Sequence, residues 1–304
     1  MRSMLKELKK NYALFILLAP AVIAVAVLSY APMFGLILAF KGFRYDLGIF
    51  GSPWVGLYNF RYLFLSGAGL KVTLNTVTYN LVNLATCQIL AIVVAIFIAE
   101  SANVIFKKLT QSFIFLPYFI SWTIVGMLAL GVFNFESGIL NGALKYMGAK
   151  PLNVYMDTKI WRFIIPIVNS WKWVGYTSVI YIAAIAGVDQ ECYESADIDG
   201  ANIFQKNWHI TLPSISRTII IMVLLNVGRI MRGDFQMFYQ LIGNNGQLFE
   251  ATDVIDTFVF RALIFGRDFG MASASTFYQS VLCFITIVAV NGLVRRIEKD
   301  SALF

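Results

Sequence analysis

The sequence predicts an all-α, polytopic membrane protein. Of its 304 residues, 59% are hydrophobic and 13% charged, against roughly 25% charged in a soluble domain. Mean hydropathy is +0.72. Charge-free intervals also recur at about the 20-residue length a helix needs to cross a hydrocarbon core. These stretches use most of the chain, so a large soluble domain does not fit. Residues 1–304 read as one transmembrane domain.

Lys10 to Lys41 carries no charge and holds a first span over 12–30, with an apolar extension past Pro32 to Phe40. Lys71 to Glu100 holds a span over 73–99, and Lys108 to Glu136 one over 110–133. Arg162 to Asp189, interrupted by Lys172, holds 162–187, and Asp268 to Arg295 holds 270–294. The fifth span, 215–240, is anomalous. Arg217 and Arg229 bracket only Thr218–Gly228, about 16 Å of helix at 1.5 Å per residue. The helix is therefore expected to continue through Arg229. Either that guanidinium sits at membrane depth as a functional group, or the span tilts and Arg229 snorkels to the outer interface.

Arg2, Lys6, Lys9 and Lys10 precede the first span and place the N-terminus in the cytoplasm. Six spans return the C-terminus to that side, with Lys107, Lys108, Arg295, Arg296 and Lys299. Lys41, Arg44, Arg61 and Lys71 in the first outer loop blur the asymmetry. The first apolar run exceeds a secretory h-region and reads as an uncleaved span. The net charge of +7 belongs to residues flanking spans, not to a nucleic-acid surface. Gly51–Phe64, with Trp54, Tyr58, Phe60, Tyr62 and Phe64, reads as an interfacial aromatic belt. Cys87, Cys192 and Cys283 suggest neither a disulfide framework nor a metal site.

One acidic island breaks the pattern. Val188–Ile210 reads as two short helices around a glycine. Asp189 is suited to cap the first helix. Glu191 and Glu194 favour its positive end. Asp199-Gly200 ends it, because glycine adopts the left-handed conformation freely. The second helix covers Ala201–Ile210, and Pro213 stops it. Phe204 and Trp208, four residues apart, share a face. A loop this acidic departs from the positive-inside bias, as a surface serving a partner would.

Tyr193-Glu194-Ser195-Ala196, Ile198-Asp199-Gly200-Ala201 and Thr211-Leu212-Pro213 resemble, in register, the cytoplasmic EAA loop of permease subunits of bacterial binding-protein-dependent ABC sugar importers. Ser195 replaces an alanine of that pattern, and Val188-Asp189 stands where a proline is usual. Pro32-Met33-Phe34-Gly35, Ala39-Phe40-Lys41, Gly51–Leu57, Leu116–Trp122 and Asp253–Thr257 are similar to the LplB-like oligo- and polysaccharide subgroup, so the resemblance covers nearly the whole chain.

The resemblance implies a type I ABC importer permease fold with a coupling helix–turn–helix over 188–214. Tyr193, Glu194, Ser195, Ala196, Asp199, Gly200, Ala201, Leu212 and Pro213 would dock on an ATPase. It further implies a second, different permease subunit, two ATPase subunits, an extracytoplasmic solute-binding protein, a saccharide substrate and a place in the cytoplasmic (inner) membrane. No G-x-x-x-x-G-K-[ST] occurs. ATP hydrolysis is thus expected in a partner that binds ATP and Mg, with no cofactor or catalytic residue in this chain. His209, the only histidine, cannot build a triad or His-based metal site by itself.

Polar residues inside the spans are the candidates for a substrate path. Thr73, Thr76, Asn80, Asn83 and Cys87 follow helical steps in the second span. Asn226, Arg229, Gly233, Gln236 and Gln240 do so in the fifth, and the fourth adds Asn169, Lys172 and Tyr176. Such stripes face protein or water. The fifth-span stripe reads as cavity lining and the second-span stripe as interhelical packing. Trp122, Trp173, Tyr176, Phe235 and Tyr239 offer flat faces for sugar rings. Lys172, Arg229 and Arg232 suit an acidic saccharide such as alginate, because guanidinium pairs bidentately with carboxylate. Alternatively, Asp234 neutralises Arg229 or Arg232 structurally.

Three rival functions differ from this reading. A permease for a neutral oligosaccharide needs none of those cations. An ion-coupled secondary transporter predicts inverted repeats and a midplane carboxylate. The sequence has no visible repeat, and the long charge-free spans hold no Asp or Glu. A membrane-embedded enzyme needs clustered His, Asp or Glu at a boundary, and only the acidic loop offers such a cluster.

Overall fold

The computed structural model describes residues 10–297. Arg2, Lys6, Lys9 and Lys299, part of the basis for the expected orientation, lie outside them. The described residues form helices and loops, with one isolated antiparallel bridge between Lys41 and Trp54. In chain order the principal helices are α1 (Tyr12–Val25), α2 (Ala68–Glu100), α3 (Val104–Phe115), α4 (Trp122–Phe133), α5 (Ile139–Tyr146), α6 (Thr158–Ala186), α7 (Gln190–Ile198), α8 (Ile203–Lys206), α9 (Ser216–Val227), α10 (Phe235–Ile242), α11 (Ile255–Ile264) and α12 (Phe269–Ile297).

Three helical stretches, Tyr12–Phe40, Ala68–Glu100 and Phe269–Gly292, are long and apolar enough to cross a membrane. Counting each of two bent pairs as one span gives up to five. The first pair, Val104–Phe119 with Trp122–Phe133, bends by 96°, and the second, Ile203–Ser214 with Ser216–Val227, by 59°. α6 has the length, at 29 residues, but carries Lys159, Arg162 and Lys172.

The chain divides into two compact units, Met1–Gly67 with Val259–Tyr278, and Ala68–Phe258 with Gln279–Phe304. In the first unit, α1 runs on through a π-turn (Ala26–Tyr30) and a 3-10 segment (Ala31–Phe40), and none of Tyr12–Tyr30 is buried. A small core forms from Phe40, Phe60 and Phe277 around Ala39 and Ala274. The Asn59 amide donates to the carbonyls of Leu38, Ala39 and Lys41 at 2.9–3.1 Å. The buried Lys41 ammonium donates to Ile49 O and Phe50 O. Trp54, Tyr58, Tyr62 and Phe64 of the expected aromatic belt are exposed, but Phe60 is buried in this core.

The second unit is built on α2 packed along α6. Ala91 and Ala95 are fully buried, which lets the backbones approach closely, as small residues do between membrane helices. Polar pairs cross the seam: Ser170 donates to Thr86 at 3.1 Å, Cys87 Sγ lies 3.7 Å from Thr177 Oγ1, and Tyr181 donates to Gln88. Gly175 lies against the Ile114 backbone so tightly that a Cβ would overlap the carbonyl.

Span 3 breaks for a local reason. Pro117 sits in a 3-10 turn over Leu116–Phe119, Ile120 is extended, and Ser121 caps α4. The Pro117 carbonyl accepts the Ile120 N–H at 3.2 Å, and the Lys172 ammonium donates to it and to the carbonyls of Tyr118 and Ile120 at the break. Span 5 also departs from the expected continuous helix through Arg229. α9 ends at Val227, turns occupy residues 228–231, residues 232–234 are irregular, and Asp234 caps α10 through the Met237 N–H at 3.0 Å. Gly228 and Gly233 favour the break, and side chains from elsewhere satisfy it. Asn80 donates to Ile230 O (2.7 Å) and Arg232 O (2.8 Å), and Gln279 donates to Met231 O (2.9 Å). Asp256 accepts the Gly233 N–H at 2.7 Å and is itself held by Gln279 at 2.9 Å.

Gly175→Ala is expected to destabilise the protein by roughly 1–3 kcal/mol through overpacking. Gly131→Ala, where nothing lies within 4 Å of the added carbon, leaves the detergent-solubilised melting temperature unchanged or slightly raised. Asn80→Leu removes the donor from Ile230 O, a part-buried bond, and from Arg232 O, an exposed one, at roughly 0.5–1.5 kcal/mol for each such bond. Hydrogen exchange should quicken across residues 228–235 in that variant, and unchanged exchange there would contradict this account of the break.

Candidate functional site

The acidic island folds as a helix–turn–helix. The Asp189 carboxylate accepts the Glu191 N–H at 3.0 Å and starts α7. Gly200, at φ +74°, ends it, with Ala201 N–H returning to Ala196 O at 2.9 Å. The second arm starts at a capping box absent from the expectation: Asn202 accepts the Gln205 N–H, and Gln205 accepts the Asn202 N–H. The N-x-x-Q spacing carried that signal. This arm continues as a π-turn over Asn207–Thr211 and a last turn, Leu212–Ser214, that contains Pro213. Pro213 thus sits within the helical arm, and the bend falls just after it, at Ile215.

The two arms are tied together. Tyr193 Oη lies 2.9 Å from Thr211 Oγ1, which donates to Asn207 Oδ1 at 2.9 Å. Lys206 pairs with Asp197 at 2.8 Å, and that carboxylate holds the ammonium above its ordinary pKa. Glu194, Ser195, Asp199 and Gly200 are exposed, Ala196 and Ala201 half-buried. An open cleft of about 330 Å³ lies between the arms, lined by Ala196, Asp199, Gly200, Ala201, Lys206 and His209 among others. In the same helix–turn–helix, Ile198 is 87%, Phe204 82% and Trp208 70% exposed. A polar loop has no reason of its own to present three large apolar side chains to water. Tyr193, Glu194, Ser195, Leu212 and Pro213 lie outside the cleft lining, and Tyr193 acts as a tie between the arms.

The polar residues of the spans separate into two groups. Thr76, Asn80 and Cys87 are engaged between helices. Thr76 Oγ1 accepts the Ile255 N–H at 3.0 Å, and Asn80 and Cys87 hold the partners described above. Asn83 is 8% exposed with Oδ1 unpaired. Lys172 and Trp122 are buried, with the ammonium 5.2 Å from the indole centre. Lys172 therefore faces carbonyls at a break, not open space.

Asn226, Arg229, Arg232 and Gln236 are exposed, and Tyr239 is half-buried, stacked on Phe235 at 5.3 Å. They do not form one helical stripe, because the break resets the register between Val227 and Phe235. Asn226 turns back to Met222 O. Tyr176, 39% exposed, stacks on Tyr118 at 4.7 Å, and Tyr118 was not foreseen. Nor does Asp234 serve Arg229 or Arg232. Its carboxylate caps α10 through the Met237 N–H, and no ion pair joins it to either arginine among the described residues. Among the described residues no cluster of His, Cys, Asp and Glu suits a metal ion.

Residues 91–299 match the family described as "Binding-protein-dependent transport system inner membrane component". The polygalacturonan/rhamnogalacturonan transport system permease protein YteP of Bacillus subtilis is 29% identical over 300 residues, covering 99% of this chain and 92% of that protein. Protein LplB of the same organism is 29% identical, covering 98% and 93%. Among solved structures, a bacterial ABC transporter involved in the import of the acidic polysaccharide alginate has a chain 29% identical, with a TM-score of 0.87 over 97% of this chain and 99% of its own. A second structure, of the alginate transporter in complex with an alginate pentasaccharide-bound periplasmic protein, gives 0.86. The all-helical chain, with its bent spans and helix–turn–helix, therefore has the fold of an ABC importer permease and belongs to the family of binding-protein-dependent transport system inner membrane components.

Proposed function

We propose that this chain is one permease subunit of an ATP-driven importer that carries an oligo- or polysaccharide across the cytoplasmic membrane by alternating access. The observation that carries the reading is the tied helix–turn–helix, which holds an open cleft and exposes Ile198, Phe204 and Trp208. Such a surface suits a protein partner, and Glu194, Ser195, Ala196 and the Asp199-Gly200-Ala201 turn are its polar and small-residue part. The partner is an ATPase subunit that binds ATP and Mg, and two of them serve a pair of different permeases. An extracytoplasmic solute-binding protein delivers the saccharide. Both termini are cytoplasmic, with six spans in one transmembrane domain.

The substrate is proposed to be acidic. Arg229 and Arg232 lie at the span-5 break with exposed side chains, beside Asn226, Gln236 and Tyr239, and guanidinium matches a uronate carboxylate in geometry. YteP and the alginate transporter are named for acidic polysaccharides. A neutral oligosaccharide is the second reading. It is favoured by relatives named for arabinooligosaccharides, 27% identical over 74% of this chain, and by the use of Lys172 within the fold.

Photo-crosslinking from position 194 or 196 in intact cells is expected to capture an ATPase subunit, and its consistent absence would refute the docking assignment. In proteoliposomes of the assembled transporter, Arg229→Met is expected to lower uptake of an acidic oligosaccharide about tenfold, the loss of one charge-assisted contact. Basal ATP hydrolysis should fall less. Equal losses of both would make Arg229 structural.

A further inference from the structure

Side chains from three other helices hold the backbone where span 5 breaks. Asn80 of α2 donates to Ile230 O at 2.7 Å and to Arg232 O at 2.8 Å. Gln279 of α12 donates to Met231 O at 2.9 Å. Asp256 of α11 accepts the Gly233 N–H at 2.7 Å through Oδ2, and the same oxygen accepts the Gln279 amide at 2.9 Å. The Arg232 carbonyl and the Gly233 N–H belong to one planar peptide unit. That plane is gripped at both edges, its oxygen by Asn80 and its N–H by Asp256. The preceding plane is held too, through Met231 O and through the Arg232 N–H, which donates to Arg229 O at 2.8 Å. The Arg232 Cα therefore lies between two fixed planes.

The segment that carries Asp256 is itself anchored. Thr76 Oγ1 accepts the Ile255 N–H at 3.0 Å, and Asn75 donates to Asp253 O at 3.0 Å. Within Asp253–Thr257, the Thr257 hydroxyl donates to Asp253 Oδ1 at 2.7 Å, and its oxygen accepts the Val254 N–H at 3.1 Å. One helix, α2, thus holds both the break and its support. The fit between them is close. A Cβ on Gly233 would lie 2.8 Å from Val254 Cγ2 and 3.2 Å from Asp256 Oδ2, and Val254 is fully buried.

A carboxylate beside two arginines would ordinarily be read as their counter-ion. Among the described residues, however, no ion pair joins Asp256 to Arg229 or Arg232. Its Oδ2 is engaged by backbone and amide donors, and both arginines stay exposed. A bidentate guanidinium–carboxylate contact is directional, and a binding group must be held to within about 0.5 Å of its working position. We propose that Asp256 is a positioning residue for substrate recognition. By pinning the Arg232–Gly233 peptide, it sets the pose in which Arg232 meets a carboxylate of an acidic saccharide. The recognition role rests on the acidic-substrate reading above, whereas the pin does not.

The test uses the assembled transporter in proteoliposomes with its solute-binding protein, and tetragalacturonate as the probe. Asp256→Ala is expected to raise the KM for uptake about tenfold, the effect of a misplaced charge-assisted contact. Asp256→Asn keeps an oxygen for the Gly233 N–H and should restore the parent KM. Gly233→Ala pushes the backbone off Val254 without altering any charge and should match Asp256→Ala. In an Arg232→Met background, Asp256→Ala should raise KM no further, because it acts through that side chain. The same rise in both backgrounds would make Asp256 merely structural and overturn the proposal. An Asn variant as poor as Ala, or an unchanged KM in both Asp256→Ala and Gly233→Ala, would also overturn it. Hydrogen exchange on the purified chain reads the pin alone. The Gly233 amide should exchange faster in Asp256→Ala and at the parent rate in Asp256→Asn, and an unchanged rate in the Ala variant refutes the pin. If Arg229→Met and Arg232→Met both take up tetragalacturonate as the parent does, the acidic-substrate reading falls and the recognition role with it, while exchange still decides the pin.

Discussion

Where a helix breaks among apolar neighbours, the freed carbonyls must find donors, and this constraint shapes the second unit. Hydrocarbon offers them none, and each group left unpaired there is costly. Lys172 serves the break in span 3, and Asn80 with Gln279 serves the break in span 5. Each donor comes from a helix other than the one it repairs. The bent spans are therefore tertiary features, stable only when α2, α6 and α12 supply the side chains.

This use of polar groups bears on function. A cation in a membrane span invites assignment as a substrate ligand. Lys172 shows why position alone does not decide, since three carbonyls and an indole occupy it. Arg229 and Arg232 differ, because the break at residues 228–234 leaves their side chains exposed. The break thus presents basic side chains at a place where an unbroken helix would have carried them around its axis.

The helix–turn–helix follows the opposite logic. Its polar ties, Tyr193 to Thr211 and Lys206 to Asp197, lie between its own arms. With its hydrogen bonds satisfied internally, it can keep its shape while presenting Ile198, Phe204 and Trp208 outward. A rigid surface of this kind loses little entropy on docking.

The sequence by itself determined the helical membrane class, the approximate helix positions and the local form of the acidic loop. Composition, charge-free length, the Asp189 cap and the Gly200 turn are short-range signals that need no knowledge of neighbours. The resemblance of the loop added the family, which residues 91–299 bear out. Only the tertiary structure decided where the spans break and which polar groups are spent inside the bundle. Pro117, Gly228 and Gly233 were visible as weak points, but a weak point becomes a break only when distant donors satisfy it. The same distance in sequence hid the partners of Lys172: the carbonyls of Pro117, Tyr118 and Ile120 come from another span, and its place among apolar residues pointed instead to a substrate ligand.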